Sequence, residues 1–451
     1  MTRGRSLRLP SKLARWLGLG LICFGIVFAT GAFAIEQVGE LSKAEVRAAL
    51  REVPATYPGK VHLLPATLET TQWGWFDNAE APVMHMASGD TVVVETMMHS
   101  HNQVVPGLTI EEIKKLRTDH PGRGPHTLTG PIYIDGAEPG DTLKVNILKI
   151  VPRAYATNFN VPGMFGQFPD QFPDGQVKYV YLDMDRNVAE FLPGIEIPLA
   201  PFPGTIGVAR EEPGQYSSVP PGRYAGNLDI RDMVAGTTLY VPVFVDGALL
   251  WTGDSHAAQG NGEINLTALE SAFKEIVLNV EVIKGESIEW PQIETPTHWI
   301  RLGVDRDLNE ALEIAKAETI EFLSKQRQIS TEAAAALMPT VSDCRISQVV
   351  DINKGVHCLN PKDMTATKTV GYPTAETDDY YVAYTQGDDL NAIMDAASLE
   401  MMAELQEKAG LSRLDAYGLA SIAMDCRLNE IATDSKSLHC VIPKSIWADK
   451  A

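Results

Sequence analysis

Cysteine is scarce and unevenly placed. There are five in 451 residues, and after Cys23 the next is Cys344. Thiol pairing or thiolate ligation in the body of the chain can therefore come only from its last quarter. Basic residues are also in deficit: 38 Lys and Arg stand against 58 Asp and Glu, a formal charge of −20. Such a surface repels polyanions, which argues against nucleic acid and anionic membranes as partners and favours neutral or cationic ligands. Long uncharged apolar runs are missing except for Trp16 to Ala32. That run follows Arg3, Arg5, Arg8, Lys12 and Arg15 and ends in Ala32-Phe33-Ala34. The pattern predicts a secretory signal peptide, residues 1–34, cut after Ala34. Cleavage takes away five basic residues and no acidic one, moving the formal charge from −20 to −25. A secreted or periplasmic chain with no stable membrane insertion is expected, in a compartment that permits disulfides.

Bulky apolar side chains are absent from one internal segment, Gly253-Asp254-Ser255-His256-Ala257-Ala258-Gln259-Gly260-Asn261-Gly262-Glu263. Carboxylates and an imidazole lie close together there, with glycines that let backbone and water approach. This composition suits a metal or acid/base site better than a packed core.

The length exceeds one ordinary core. From about Val61 to Ile283 the chain reads as β-rich, with strands expected at Thr91–Thr96, Pro131–Ile134, Leu143–Leu148 and Ile276–Val282. Leu239–Phe244 and Ala248–Trp251, joined by Asp246-Gly247, predict a hairpin whose second strand runs into Gly253-Asp254. Long Pro-rich loops at 152–175 and 193–223 are expected to be functional or to form interfaces. After residue 300 the spacing becomes helical over Leu308–Lys325, a second helix starts at Ser330-Thr331-Glu332, and Ile346–Val350 reads as a strand.

This last region repeats at an offset of 82. Asp307-Leu308-Asn309 matches Asp389-Leu390-Asn391, Asp343-Cys344-Arg345 matches Asp425-Cys426-Arg427, and His357-Cys358 matches His439-Cys440. Each copy reads helix, helix, strand, strand, which predicts a duplicated α+β unit. The expected divisions are 35–300, 301–372 and 383–451. Each copy holds one Cys-x13-Cys pair. Cys344–Cys358 and Cys426–Cys440 are the preferred bridges, though four cysteines allow three pairings, and a Cys/His metal site is the weaker alternative.

Other candidate chemistry is dispersed. His99-Ser100-His101 could present two imidazoles on one face of an extended strand, although two solvated histidines are the ordinary reading. His126 lies in Gly124-Pro125-His126-Thr127-Leu128-Thr129-Gly130-Pro131, and Asp229 in Gly226-Asn227-Leu228-Asp229. These two blocks, Gly136-Ala137-Glu138-Pro139-Gly140-Asp141, Pro201-Phe202-Pro203-Gly204-Thr205-Ile206-Gly207-Val208-Ala209, the Gly253–Gly260 block and Asp343–Asp351 together resemble the acetamidase/formamidase family, in its order.

The resemblance implies a mixed, β-rich fold, with a β-sandwich-like domain joined to an α+β part. It also implies hydrolysis of the C–N bond of small neutral amides with a bound divalent metal, zinc or alternatively calcium. Carried over by motif, Asp254, His256, Asp229, His126 and His99 would hold or adjoin the metal. Glu263, with His256, would be catalytic, and Asn227, Gln259, Asn261 and Glu95 would line the substrate pocket. Many family members carry Asp where this chain has Asn261. That departure keeps open a non-catalytic, periplasmic ligand-binding relative, and a hydrolase of another amide or a lactam is a further alternative. A homo-oligomer is expected.

Overall fold

The computed structural model describes residues 57–448, apart from 364, 367, 369–372 and 432–434. The signal-peptide segment 1–34 and the lead-in up to residue 56 lie outside the described residues. The described residues form one compact unit, built on a twelve-stranded and an eleven-stranded sheet. Among the described residues no helix is long and apolar enough to cross a membrane.

The two sheets face each other across a shared core. Leu143, Val145, Leu278 and Val280 from the first pack with Phe202, Ile206, Leu250 and Trp251 from the second in one buried cluster. Phe202–Val208 is buried along its whole length, whereas Thr142–Pro152 alternates, with Leu143, Val145 and Ile147 buried and Lys144 and Asn146 between them only partly so. Burying each such large aliphatic or aromatic side chain contributes about 1.5–3 kcal/mol. The β-rich sandwich with an α+β part is the architecture expected above.

The twelve-stranded sheet starts at Val61–Leu64 and passes through Thr91–Val94, Phe273–Ile283, Thr142–Pro152, Thr238–Pro242 and Gln292–Glu294. It then continues without a break into the duplicated region. One copy supplies His298–Asp305, Lys354–Pro361 and Asp343–Ile346, and the other Asp425–Glu430, Lys436–Pro443 and Tyr380–Gly387. Each copy therefore opens with a strand ahead of its helices, starting at His298 and Tyr380, slightly upstream of the 301 and 383 boundaries. The two leading strands share no residue in register, so the repeat does not reveal them.

The copies meet about a local pseudo-two-fold. Arg345 pairs with Arg427 in antiparallel register. Asn309 Nδ2 donates to Asp389 Oδ1 at 2.8 Å, and Asn391 Nδ2 donates to Asp307 Oδ1 at 2.6 Å. Asp307 and Asp389 also cap their own helices, Leu308–Arg327 and Leu390–Ala409. Cys344–Cys358 and Cys426–Cys440 are bonded across directly opposed strand positions. His357 turns away from the sulfurs to Ser347 and Asp232.

Two expectations need correction. Thr238–Pro242 and Leu250–His256 are not a hairpin, because they belong to different sheets. Gly247, Ala248 and Leu249 all have positive φ (73°, 58° and 57°), and this corner carries the chain from one sheet to the other. Asp254 and His256 consequently lie within a strand, not beyond its end. The strand expected over Ile346–Val350 instead spans Asp343–Ile346. After it, Gln348 Oε1 accepts from the backbone N–H groups of Val350 and Asp351 and bends the chain back toward the sandwich.

Candidate active site

The strand Phe202–Val208 lies between Ala225–Asn227 and Leu250–His256. The pairings Pro203↔Ser255 and Thr205↔Gly253 place Gly204 opposite Asp254. A Cβ at Gly204 would lie 2.5 Å from Asp254 Oδ2, 2.5 Å from His256 Cε1 and 2.6 Å from Asp229 Oδ1. The missing side chain is thus the space into which three polar side chains converge. Asp229, Asp254 and Glu263 are all non-glycine residues in the left-handed region, with φ of 50°, 47° and 49°. Holding side chains there costs about 1 kcal/mol or more each and is typical of sites whose surroundings fix an unusual direction.

Around this space the distances are short. His99 Nε2 lies 2.8 Å from Asp254 Oδ1 and 3.3 Å from Glu270 Oε2. His256 Nε2 lies 3.3 Å from Asp254 Oδ2 and 3.1 Å from Glu270 Oε2. His126 Nε2 is 3.8 Å from Asp254 Oδ1, while its Nδ1 meets Ser218 Oγ at 2.9 Å. His256 is fixed from behind by Gln259, whose Oε1 is 2.8 Å from Nδ1 and whose Nε2 donates to the Asp229 carbonyl at 3.1 Å. Every one of these side chains is buried.

Three overlapping groups have the spacing of metal ligands: His99, His126 and Asp254; Asp254, His256 and Glu270; and Asp229, His256 and Glu263. His256 Nε2 and Glu270 Oε2 are buried with no hydrogen-bond partner. Buried polar atoms are ordinarily satisfied. An imidazole nitrogen and a carboxylate oxygen left facing one another suit a divalent cation, and mixed N/O ligation is the donor set of zinc.

Charge divides the site. Burial alone would raise Asp254, but His126, His256 and His99 hold it well below the usual carboxylate range. Burial likewise opposes the lowering of Glu270 by His256. Burial would depress His99, yet the hydrogen bond to Asp254 and the nearby Glu270 carboxylate push it up to about 9. Burial drives His126 down to about 4, so it is neutral near pH 7. On the other side, burial and the neighbouring carboxylates raise Glu263 and Asp229 well above their ordinary values. Asp351 rises to about 8, chiefly through burial, against a contact with Asp229 that lowers it.

The structure gathers His99, His126, Asn227, Asp229, Asp254, His256 and Glu263 around one cavity of about 470 Å3. It does not bring every expected residue there. His101 leaves the cluster because Ser100 and His101 are left-handed, so the segment is a tight turn and not an extended strand. His101 faces Trp73 at 5.8 Å between ring centroids. Glu95 and Gln259 are outside the lining, and Gln259 touches the site through the His256 ring and the Asp229 carbonyl.

Asn261 is also outside the lining, because its Nδ2 donates to Asp425 Oδ1 at 2.5 Å. Both residues are buried, and Asp425 also binds Arg427. Asn261→Asp would set two carboxylates face to face and is expected to lower unfolding free energy by about 2 kcal/mol. The double variant with Asp425→Asn should recover that loss, and equal stability of wild type and single variant in urea would refute the pairing.

Glu270 and Asp351 are the functional candidates that sequence reading missed. Glu270 lies directly across from His256 in the strand pairing. Its only sequence signal is that it is the one charge between Ile264 and Phe273. Asp351 arrives through the Gly262–Gln348 bridge, in which Gly262 N donates to Ser347 O and Val349 N to Gly262 O. The second repeat buttresses the same loop: Gly260 N donates to Ser421 O, and Tyr417 Oη to Ile264 O.

The sequence profile of the Acetamidase/Formamidase family matches residues 69–215 and 214–448. The chain belongs to the acetamidase/formamidase family. It is similar to an acetamidase from Mycolicibacterium smegmatis, 29% identical over 219 residues, 36% of this chain and 54% of that protein. This match thus spans only about half the length of that curated relative. A formamidase from Methylophilus methylotrophus is 24% identical over 304 residues, 50% of this chain and 74% of its own. Among solved structures, an acetamidase from Bacillus halodurans superposes with a TM-score of 0.61 at 30% identity, covering 66% of this chain and 97% of its own. About a third of the chain therefore extends beyond that family structure.

Proposed function

We propose that the chain is an exported, metal-dependent hydrolase of the C–N bond of amides, releasing ammonia. The observation that carries this reading is the ring of 2.8–3.3 Å contacts that joins His99, Asp254, His256 and Glu270, with Asp254 and His256 reaching the space left by Gly204. Relatives named acetamidase and formamidase support the reaction class. Those four residues would hold the ion, with neutral His126 beside them, and their imidazole content favours zinc over calcium. When bound, the metal supplies carbonyl polarisation and a more acidic water.

The chain's own residues supply the rest. Glu263, buried among carboxylates, holds a proton more readily than a solvated glutamate. It is suited to take a proton from the attacking water and pass one to the departing nitrogen. Asp229 and Asp351 keep that end acidic and share the proton load. Gln259 fixes the His256 ring. Apolar side chains from the helix Ile110–Thr118 and the 159–165 segment line the cavity and limit water. The ligand-binding alternative drew on Asn261, and Asn261 is engaged with Asp425 instead. The leader-like segment and the two disulfides support export, and a homo-oligomer is proposed from the long Pro-rich loops.

Metal analysis of the mature protein, paired with ammonia release from formamide and acetamide, tests the reading. About one ion per chain and a loss of turnover of about a hundredfold or more on chelation are expected. Undiminished turnover after complete metal removal would defeat the metal role, and silence on the whole amide panel would defeat the hydrolase reading.

A further inference from the structure

The cavity is larger than acetamide or formamide requires. Its volume of about 470 Å3 is in the range of sites for drug-sized ligands, whereas acetamide has only a handful of heavy atoms. Away from the carboxylates and histidines its wall is apolar: Leu116, Phe159, Val161, Met164 and Phe165 line it. These belong to a small packed cluster of their own beneath the helix Ile110–Thr118.

Two guanidinium groups interrupt that wall, Arg117 and Arg123, and Arg123 lies against the Trp73 ring at 4.8 Å from its centre. Arg117 is half-buried, lines the cavity and has its guanidinium 5.3 Å from the centre of the Phe165 ring. Among the described residues no hydrogen bond or carboxylate partner for Arg117 is found. Arg345 is paired with Asp232 and Asp343, and Arg427 with Asp343 and Asp425, whereas Arg301, like Arg117, rests against an aromatic ring, that of Phe322 at 4.1 Å. Burial pushes Arg117 down to about 10, so it keeps its charge near neutral pH, and that charge reaches the His126 ring. A half-buried guanidinium without a counter-ion has donors free for a ligand, and its planar fork matches a carboxylate in two-point contact.

We infer that the pocket takes an amide whose far end carries a carboxylate, with an apolar body between the two groups. The inference rests on the amide-hydrolase reading. The amide lies at the histidine and carboxylate floor, the body against Phe159 and Phe165, and the carboxylate on Arg117. Water adds hydroxyl to the carbonyl carbon and its one remaining proton to nitrogen, the C–N bond breaks and ammonia leaves, and the new carboxylic acid then ionises to give a dicarboxylate, its proton being taken up by ammonia. The surplus of negative charge on the whole chain does not oppose this, because the contact is local and sheltered from solvent.

The test compares binding of two ligand pairs to the full chain by calorimetry: butyramide with succinamate, and benzamide with 4-carboxybenzamide. At least one carboxylated member should bind about tenfold or more tightly than its uncharged partner. Arg117→Met should remove most of that gap, and Arg117→Lys, which keeps the charge and loses the fork, should retain part of it. Equal binding within both pairs, or a gap that survives Arg117→Met, overturns the inference. Ammonia release from the same ligands is scored separately. Release from simple amides without a carboxylate preference leaves the hydrolase reading standing and removes this inference. Arg117-dependent binding with no ammonia from any amide does the reverse.

Discussion

Glu263→Gln is expected to lower amide turnover by about a hundredfold to ten-thousandfold, the usual worth of a positioned proton carrier. The argument is one of place and of protonation. Glu263 is 3% exposed, lies in the cavity lining and is grouped with Asp229 and His256 at ligand-like spacing. Glutamine keeps its shape and can hydrogen-bond water, but it cannot take a proton near neutral pH. Asp254, His256 and Glu270 are untouched, so metal content should stay at the wild-type level. Folding should survive as well, because the change removes a buried acid from a crowd of carboxylates. Ammonia release and metal stoichiometry on the same preparation make the measurement. Full turnover in the variant would move the proton-transfer role elsewhere, with Asp351 and Asp229 next in line.

The sequence made some of this legible for clear physical reasons. The helix Leu308–Arg327 could be read from its apolar spacing, and the next from Ser330, a capping residue that announces itself locally. The repeat favoured the observed disulfide pairing, since each copy could close its own strand pair, although it left the crossed pairings open. Glu263, Asp254 and His256 stood out because a glycine-rich segment leaves little else there to pack. Glu270 did not, because its role is set by register: it faces His256 across a strand pair from fourteen residues away in sequence. The failed hairpin has a similar cause. Asp246-Gly247 is a sound turn signal, but nothing in Ala248 or Leu249 advertises the positive φ that sends the chain to the other sheet. Asn261 was misread because adjacency on a loop says nothing of direction, and its partner lies 164 residues on, in the second repeat.

Gly204→Ala is expected to empty the metal site while leaving the sheets intact. Gly204 is a strand residue outside the left-handed region, so alanine carries no backbone penalty there. The cost falls on the neighbours, since contacts of 2.5–2.6 Å to Asp254, His256 and Asp229 are closer than Cβ atoms tolerate. None of the three can step aside easily. The His256 ring is held edge-on to Phe202 at 5.0 Å between centroids and by Gln259 at 2.8 Å. Asp254 is tied to His99 at 2.8 Å, and Asp229 is buried on a left-handed backbone. The methyl therefore occupies the space where the ligand atoms meet, and a displacement of about 1 Å in such a constellation is enough to cost about a hundredfold in rate. Metal content should fall to about a tenth of wild type or less, a loss equivalent to about 1.4 kcal/mol or more in affinity. Far-ultraviolet circular dichroism should be unchanged. Wild-type metal content and turnover in Gly204→Ala would mean that the ion, if one binds, sits elsewhere in the cavity, clear of Asp254, His256 and Asp229, which all meet that methyl. That outcome would reassign His99 and Glu270 from metal ligands to supports of His256.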